Sequence, residues 1–514
     1  MTFIMQPLCG RFALIIMLIA IASGASAPAQ RPGAGRPSRA EEAAARHLDS
    51  IRNNPLLLRA FLKDMPKGAD LHNHLSGAIY AESYIKWAIE AGLCVSPETF
   101  VLTDCGGQGT VPISTAVTNP VLNRQIIDAW SMRNWELSGQ NGHDHFFDTF
   151  GKFGRATWGR TGEMLAEVAA RGTENGVGYY ELMLTPDGGA VSRIASRVKW
   201  SNNYLAMRDS MLALGLRDSI RIGMEVLDSS EADMRRVLGC GSPGAQEACS
   251  TVIRYLYQVG RGGQNPSVFA QILAGFEMAE MDPRVVGFNL VQPEDYPLPM
   301  MQFDEQMDMI NTLRPLYRRA RISLHAGEFA YGMVPPESLC CHIRSSIERG
   351  HAERIGHGVS VIYEHAPFDL LKMMADRGIL TEICLTSNDV ILGVKGKDHP
   401  FNLYREHGIA MALCTDDEGV SRGDITHEYV KAVMEQGADY LLLKRMARNS
   451  LEHAFVAGGS LWRDRRNFIM TDACGASVPG GTVAPACQQY LNENEKARLQ
   501  WRLEEQFRAF ESRW

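Results

Sequence analysis

The composition lacks the features that mark several other classes of protein. Lys and Arg number 52 against 59 Asp and Glu, a net charge of −7, so there is no basic excess of the kind that binds nucleic acid. An apolar run near the start, residues 13–22, is ten residues long and too short to span a bilayer comfortably. None of the 11 cysteines has the spacing of metal ligands. The chain is 45% hydrophobic, which is enough for a large core around a site for a small molecule.

The apolar run has the features of an export signal. Arg11 lies just before it, and small residues follow it. Cleavage is predicted after Ala29, and Ala27 is the other position that fits the small-x-small pattern. We therefore expect residues 1–29 to be a signal peptide and the mature protein to be periplasmic or secreted, with no membrane association after cleavage. An uncleaved membrane anchor is the alternative.

The cysteine pattern agrees with export. Loss of Cys9 with the signal leaves an even ten, and three pairs would each close a small surface loop worth about 2–3 kcal/mol. Cys384 and Cys414 fall in predicted strands and are interpreted as buried thiols. Cys340 and Cys341 are adjacent on a predicted helix and are not expected to bridge each other. A fully reduced set is the alternative, because pairing cannot be read from sequence. The predicted pairs are Cys94/Cys105, Cys240/Cys249 and Cys474/Cys487.

Strand patterns recur along the chain, and most are followed by a helical pattern. Eight such units predict an α/β protein with a (β/α)8 TIM barrel, whose active site lies at the C-terminal ends of the strands. The predicted strands are residues 68–75, 178–184, 220–227, 285–291, 321–327, 353–357, 379–385 and 409–415.

Three further parts surround this barrel. Residues 30–65 are expected to form a flexible leader and an N-terminal helical extension, with capping-box spacing between Ser38 and Glu41. A long insertion after the first strand covers residues 78–177. The barrel itself is assigned to residues 66–460, and residues 461–514 to a C-terminal loop and helix.

Five short segments place polar groups at the ends of predicted strands. His72 and His74 are separated by one residue, so they project from the same face of a strand and can bind one ion. With a third imidazole and a carboxylate from the other segments they offer ligands that zinc accepts while it keeps a position open for water. Zinc would lower the pKa of that water to about 7. The segments are Asp70-Leu71-His72-Asn73-His74, Ser323-Leu324-His325-Ala326-Gly327-Glu328, Ile355-Gly356-His357-Gly358, Leu385-Thr386-Ser387-Asn388 and Cys414-Thr415-Asp416-Asp417.

Three residues remain for proton transfer. Glu328 lies three positions beyond His325 and could act as a general acid. His357 could anchor the attacking hydroxide, and Asp417 could accept its hydrogen bond. Taken alone, the pair Asp416-Asp417 could equally be a helix N-cap. Together the groups predict a hydrolytic metal site.

These segments resemble the adenosine/AMP deaminase family of the amidohydrolase superfamily, and most of all its secreted, growth-factor-type branch. The HxH, HAGE, GHG, TSN and TDD motifs occur in the family's order, and the resemblance covers about residues 66–455. It implies a hydrolytic deaminase of adenosine or a related 6-aminopurine, with a small purine as its partner and a homodimer left open. It also implies a substrate lid at the aromatic residues 146–150, for which ordinary core packing is the alternative.

The resemblance also implies roles for individual residues. One zinc ion per chain would be bound by His72, His74, His325 and Asp416. Glu328 would donate a proton to the purine. His357 and Asp417 would orient and deprotonate the attacking water.

Three positions depart from the family pattern. Ser76 stands where the family commonly has an Asp that binds a ribose hydroxyl, and Gln292 stands where a glycine N–H meets the purine. Glu418 replaces a proline after the TDD motif. Ser76, Gln292 and Asp417 are therefore the expected substrate-binding residues, in a site whose sugar- and base-reading groups are altered.

Two other functions remain as alternatives. A binuclear amidase or phosphotriesterase-like enzyme would bridge two metals with a carboxylated Lys, but residues 222–228 and 285–292 contain no Lys. A non-catalytic secreted binding protein on the same scaffold would lack a ligand or the acid, and none is missing here.

Overall fold

The core of the protein is a barrel of parallel strands. A computed structural model describes residues 37–514, and its largest sheet has eight strands, each paired in parallel with its neighbours in chain order. Most strand residues are buried, as expected where helices cover a parallel sheet. The strands are β1 Gly68–His74, β2 Val177–Leu184, β3 Val252–Gly260, β4 Val285–Val291, β5 Arg321–Ala326, β6 Arg354–His357, β7 Leu380–Ile383 and β8 Ala410–Leu413.

The barrel closes between β1 and the residues just after β8. Asp416 N–H donates to His72 O at 2.8 Å, and His74 N–H donates to Asp416 O at 3.1 Å. Asn73 and Asp416 form a parallel bridge at the same place. The predicted (β/α)8 architecture is confirmed.

The N-terminal extension consists of two helices, α1 Arg39–Ile51 and α2 Pro55–Asp64. The predicted capping box is present, since Ser38 Oγ accepts from Glu41 N–H at 3.1 Å and Glu41 Oε2 accepts from Ser38 N–H at 2.7 Å. The predicted signal peptide and the start of the leader lie outside the described residues.

The insertion after β1 carries four helices and a small sheet of three short strands, Cys94–Val95, Leu102–Thr103 and Val111–Pro112. The helices are α3 Ala81–Glu90, α4 Pro120–Ala129, α5 Gly142–Phe153 and α6 Thr161–Glu174. The aromatic cluster lies on α5, where Phe146 is buried and Phe147 reaches Tyr296, with ring centroids 6.3 Å apart. His143 Nε2 on the same helix lies 3.1 Å from Asp295 Oδ1. Helix α5 thus contributes to the core and also contacts the loop after β4.

The remaining helices follow the barrel strands or close the C-terminus. Within residues 37–514 no helix combines the length and the apolar character needed to cross a membrane. These helices are α7 Ala190–Ala195, α8 Tyr204–Ala213, α9 Leu216–Val237, α10 Asn265–Met281, α11 Pro297–Leu313, α12 His342–Glu348, α13 Pro367–Arg377, α14 Leu385–Leu392, α15 Phe401–Glu406, α16 Ile425–Gln436, α17 Tyr440–Glu452, α18 Pro485–Glu493 and α19 Glu495–Glu511.

The third predicted strand is wrong. Residues 220–227 lie in helix α9, whose residues Leu216, Ile220, Gly223 and Leu227 are buried at helical spacing while Ile222 is 56% exposed. The same stretch alternates apolar and charged residues, and over so short a segment that pattern also fits a strand. The true third strand is β3, which is rich in β-branched and aromatic residues.

The three predicted disulfides are present, and Cys384 and Cys414 are buried free thiols. Contrary to the prediction, Cys340 and Cys341 are also joined. Cys341 adopts a left-handed backbone conformation with φ of 85°. Both cysteines precede helix α12, which begins at His342, so they do not have the helical backbone on which the prediction depended.

Removing the Cys474–Cys487 disulfide should destabilise the C-terminal region. The bond closes a loop between residues 13 apart, and both side chains are fully buried beside Trp462 and Trp501. The double variant Cys474→Ala/Cys487→Ala should lose about 2–3 kcal/mol of unfolding free energy, measured by denaturant titration. Cys384→Ala, which removes a buried thiol but no crosslink, serves as the control. An unchanged midpoint in the double variant would contradict the expectation.

Candidate active site

Four side chains from three parts of the barrel converge at its C-terminal end. His72 and His74 project from β1, His325 from β5, and Asp416 follows β8. The Nε2 atom of His325 lies 3.0 Å from that of His72 and 3.3 Å from that of His74. Asp416 Oδ1 lies 3.5 Å from His72 Nε2 and 3.3 Å from His74 Nε2. Three ring nitrogens and one carboxylate oxygen therefore face a common point.

The other nitrogen of each imidazole is held by an oxygen acceptor on another strand of the barrel. His72 Nδ1 lies 2.6 Å from Glu382 Oε2. Because these partners are oxygen acceptors, each Nδ1 carries the proton and each Nε2 presents a lone pair to the common point. The remaining two contacts join His74 Nδ1 to Gln258 Oε1 at 3.0 Å and His325 Nδ1 to Asn289 Oδ1 at 2.9 Å.

This arrangement fits a divalent metal. Lone pairs facing one another at these distances repel unless a cation lies between them. Asp416 Oδ1 is buried and has no hydrogen-bond partner among residues 37–514. A set of three imidazoles and one carboxylate is typical of zinc and similar ions.

Behind His72 lies a fully buried ion-pair network. Arg354 is 2.6 Å from both Glu382 Oε1 and Glu181 Oε2, and all three side chains are buried. Burial alone would raise the pKa of Glu382, but Arg354 and His72 lower it to about 2. Glu382 is therefore a charged acceptor that fixes the His72 ring.

Glu328 is a buried carboxyl group in the loop after β5. Its Oε1 lies 3.7 Å from His357 Nε2. Burial, followed by the negative charges of Asp416 and Glu294, raises the pKa of Glu328 to about 8. Glu328 therefore carries a proton at neutral pH and can act as an acid.

Glu294 anchors the backbone that carries this acid. Its buried carboxylate accepts hydrogen bonds from Gly327 N–H at 3.2 Å and Glu328 N–H at 2.9 Å. His342 Nδ1 lies 2.5 Å from the same carboxylate. Sequence reasoning missed Glu294, although it lies three residues after β4 and Glu328 lies two residues after β5.

His357 and Asp417 complete the group. His357 ends β6 with φ of 65°, and its Nε2 lies 3.9 Å from Asp416 Oδ2. Burial and the neighbouring Asp416 raise the pKa of Asp417 well above its usual value. A Cβ on Gly77 would lie only 1.5 Å from Asp417 Oδ1, so the Asp417 side chain occupies space that only a glycine leaves free.

The two altered positions lie in turns at the ends of strands. Ser76 is half-buried after β1, and its carbonyl accepts from Tyr84 OH at 2.5 Å. Gln292 follows β4 with φ of 81°, and its Oε1 accepts from Gly262 N–H at 2.8 Å. The Gln292 side chain is thus bound to the turn after β3.

The chain is similar in sequence to known adenosine deaminases. Adenosine deaminase of Escherichia coli (strain SMS-3-5 / SECEC) is 41% identical over 147 residues, which are 27% of this chain and 41% of the relative. The match thus spans about two-fifths of the length of the curated relatives.

Two solved structures are also similar. An adenine deaminase from Arthrobacter aurescens has 16% identity and a TM-score of 0.48, over 76% of this chain and 94% of that one. The Arabidopsis N6-mAMP deaminase has 21% identity and a TM-score of 0.48, over 77% and 96%.

The family assignment depends on a longer sequence match than the 147 residues aligned with the Escherichia coli enzyme. The adenosine deaminase family model matches residues 163–461, which include His325, Glu328, His357 and both aspartates of the TDD motif. That match covers more than half of the 514 residues, and the chain therefore belongs to the adenosine deaminase family.

Proposed function

We propose that the protein is a zinc-dependent hydrolase that removes the 6-amino group of adenosine or a closely related aminopurine. The products would be ammonia and the 6-oxo compound. The observation that carries this proposal is the placement of the proton-bearing Glu328, 3.7 Å from His357, beside the cluster of His72, His74, His325 and Asp416. The family assignment supports the same reaction.

One zinc ion per chain would be held by His72, His74, His325 and Asp416. Bound there, it would supply a Lewis acid that lowers the pKa of water towards neutrality. The buried, unpartnered Asp416 Oδ1 and the three inward-facing Nε2 atoms support this assignment.

Glu328 would protonate the ring nitrogen next to the carbon that is attacked. A purine ring accepts electrons from a nucleophile more readily once this nitrogen is protonated. A carboxyl with a pKa of about 8 retains its proton at pH 7 and is matched to this task. On the other side, His357 would orient the attacking oxygen. Asp417 would accept its proton, because the raised pKa of Asp417 makes its carboxylate a stronger base once it is ionised.

The competing functions have less support. The observed third strand, β3, contains no lysine, and neither does β4, so the bridging group of the binuclear amidohydrolases has no counterpart at these strands. A non-catalytic binding protein on the same scaffold would have lost a metal ligand or the acid. Here the proposed ligands and the acid are all brought together.

The changes at Ser76 and Gln292 should determine which aminopurine is preferred. A serine lacks the charge that binds the ribose hydroxyl, and losing one charged hydrogen bond costs about 1.5–3 kcal/mol. We expect Ser76→Asp/Gln292→Gly to raise kcat/KM for adenosine by about 10- to 100-fold. At position 292 the φ of 81° suits glycine.

Ser76→Asn, which has the size of Asp without its charge, is the matched control and should gain much less. If the natural enzyme already exceeds a kcat/KM of about 10⁶ M⁻¹s⁻¹ for adenosine and the double variant gains nothing, these two changes have no effect on substrate preference.

The proposed reaction is tested by measuring the ammonia, or for N6-methylamino compounds the methylamine, that purified, metal-loaded protein releases from each compound. Nucleosides, nucleotides and free bases that carry a 6-amino or N6-methylamino group form the panel. Release from any of them supports the proposal, and the ranking identifies the substrate. No release from the whole panel would contradict it.

We further propose that the protein is exported, by cleavage of the predicted signal after Ala29. N-terminal sequencing of the protein from the periplasm or medium tests this. A mature protein that begins at Met1 in the cytoplasm would contradict it. A homodimer remains a prediction from the resemblance.

A further inference from the structure

A row of buried polar groups leads from the start of α15 to His357. Phe401 N–H lies 3.1 Å from His399 Nδ1, and His399 Nε2 lies 3.1 Å from Asn388 Oδ1. Asn388 Nδ2 in turn lies 3.0 Å from His357 Nδ1. All four residues are buried, so water does not compete for these bonds.

The hydrogen bond from Phe401 N–H fixes the tautomer of His399. A backbone N–H can only donate, so His399 Nδ1 accepts from Phe401 and carries no proton. A neutral imidazole has one proton, which must then be on Nε2. His399 therefore donates to the Asn388 side chain, and the atom that receives this bond is the amide oxygen.

The second link follows from the first. With its oxygen facing His399, Asn388 presents its NH₂ group to His357 Nδ1. The opposite amide orientation would require lone pairs on both nitrogens of His399, which no neutral imidazole has. His357 Nδ1 is therefore an acceptor as well.

We propose that Asn388 and His399 are positioning residues that hold His357 in the tautomer with its proton on Nε2. Sequence reasoning noted the TSN motif and gave Asn388 no role. His399 was not singled out at all.

This tautomer is opposite to that of the metal-facing histidines. In His72, His74 and His325 the proton is on Nδ1 and a lone pair faces the cluster. In His357 an N–H faces it, and this Nε2 is buried with no hydrogen-bond partner in residues 37–514. Burial lowers the pKa values of His357 and His399 to about 3, in agreement with two neutral rings.

An N–H of His357 that faces the cluster suits the proposed role of His357 in orienting the attacking oxygen. This part of the inference rests on the proposed function. A neutral donor can hold the attacking oxygen without taking its proton, and proton removal is then left to Asp417. A lone pair in the same place would repel that oxygen.

The proton position can be measured without any activity. In protein labelled with ¹⁵N-histidine and loaded with zinc, the nitrogen shifts distinguish the two tautomers, and the signal missing from His357→Gln identifies His357. We expect the proton on Nε2. A proton on Nδ1 of natural His357 would overturn the inference, whereas a protein without deaminase activity would overturn only the proposed function.

Asn388→Asp tests the positioning role. A carboxylate still accepts from His399 but also accepts from His357 Nδ1, so the proton should move to Nδ1. Loss of the donor should then lower kcat about 10²-fold, with KM and zinc content little changed.

The matched control is Asn175→Asp. Asn175 is also a buried amide, whose Nδ2 donates to Arg171 O and whose Oδ1 accepts from Thr426, but it lies outside the site. Its kcat should stay near that of the natural enzyme. An Asn388→Asp variant that keeps both the Nε2 proton and the natural kcat would overturn the inference.

Discussion

Replacing Glu328 with glutamine is expected to lower kcat by at least about 10²-fold while the metal stays bound. Glutamine keeps the shape of the side chain and its hydrogen-bonding capacity, but it has no proton to give to the ring nitrogen. Steady-state kinetics with metal analysis of the same sample would measure the effect.

The pH profile provides a second test of the same residue. Burial raises the pKa of Glu328 to about 8, so its protonated form predominates below that pH. We expect kcat/KM to fall as the pH rises through about 8.

Glu277→Gln is a suitable control, because Glu277 is equally buried but binds Arg217 and Tyr317 away from the site. Near-normal turnover in Glu328→Gln would mean that another group supplies the proton.

Removing the metal should abolish the reaction. His325→Ala deletes the ligand whose Nε2 approaches those of both other histidines. Loss of Lewis-acid stabilisation, worth several kcal/mol, should lower kcat/KM by about 10³-fold or more. Chelation of the natural enzyme should do the same, and added zinc should restore it.

Metal analysis makes this prediction specific. Natural protein should hold one equivalent of zinc, and His325→Ala much less. His351→Ala, which removes a histidine bonded to Asn311 outside the site, should keep both metal and activity. Two equivalents in active protein would favour a binuclear enzyme instead.

Short motifs made much of the site predictable. His72 and His74 share one face of β1, the HAGE and GHG segments lie at the ends of β5 and β6, and the TDD segment follows β8, so the barrel alone brings them to one end. The groups that orient them were not predictable in this way. Gln258, Asn289 and Glu382 contact the histidines only because the barrel brings their strands together in space, and no local pattern records that.

Two predictions, the position of the third strand and the pairing of Cys340 and Cys341, were wrong because they relied on the local sequence alone. An alternation of apolar and charged residues fits both a short strand and one side of α9, so the third strand was misplaced and Gln258 was missed with it. The adjacent cysteines Cys340 and Cys341 were judged on ordinary backbone geometry, which Cys341 does not adopt. Both errors arose because tertiary packing selects among conformations that the local sequence leaves open.

The place where the barrel closes has a consequence for local motion. Asp416 is both a proposed ligand and the residue whose amide and carbonyl join β8 to β1. A metal ion that binds only when this junction is formed would stabilise the closed barrel relative to a locally opened one by mass action. The amides of His74 and Asp416 should therefore exchange with deuterium much faster after chelation, while those within the buried strand β4 change little. The junction between β8 and β1 would then open most readily when the ion is absent, so the metal would also hold the barrel closed.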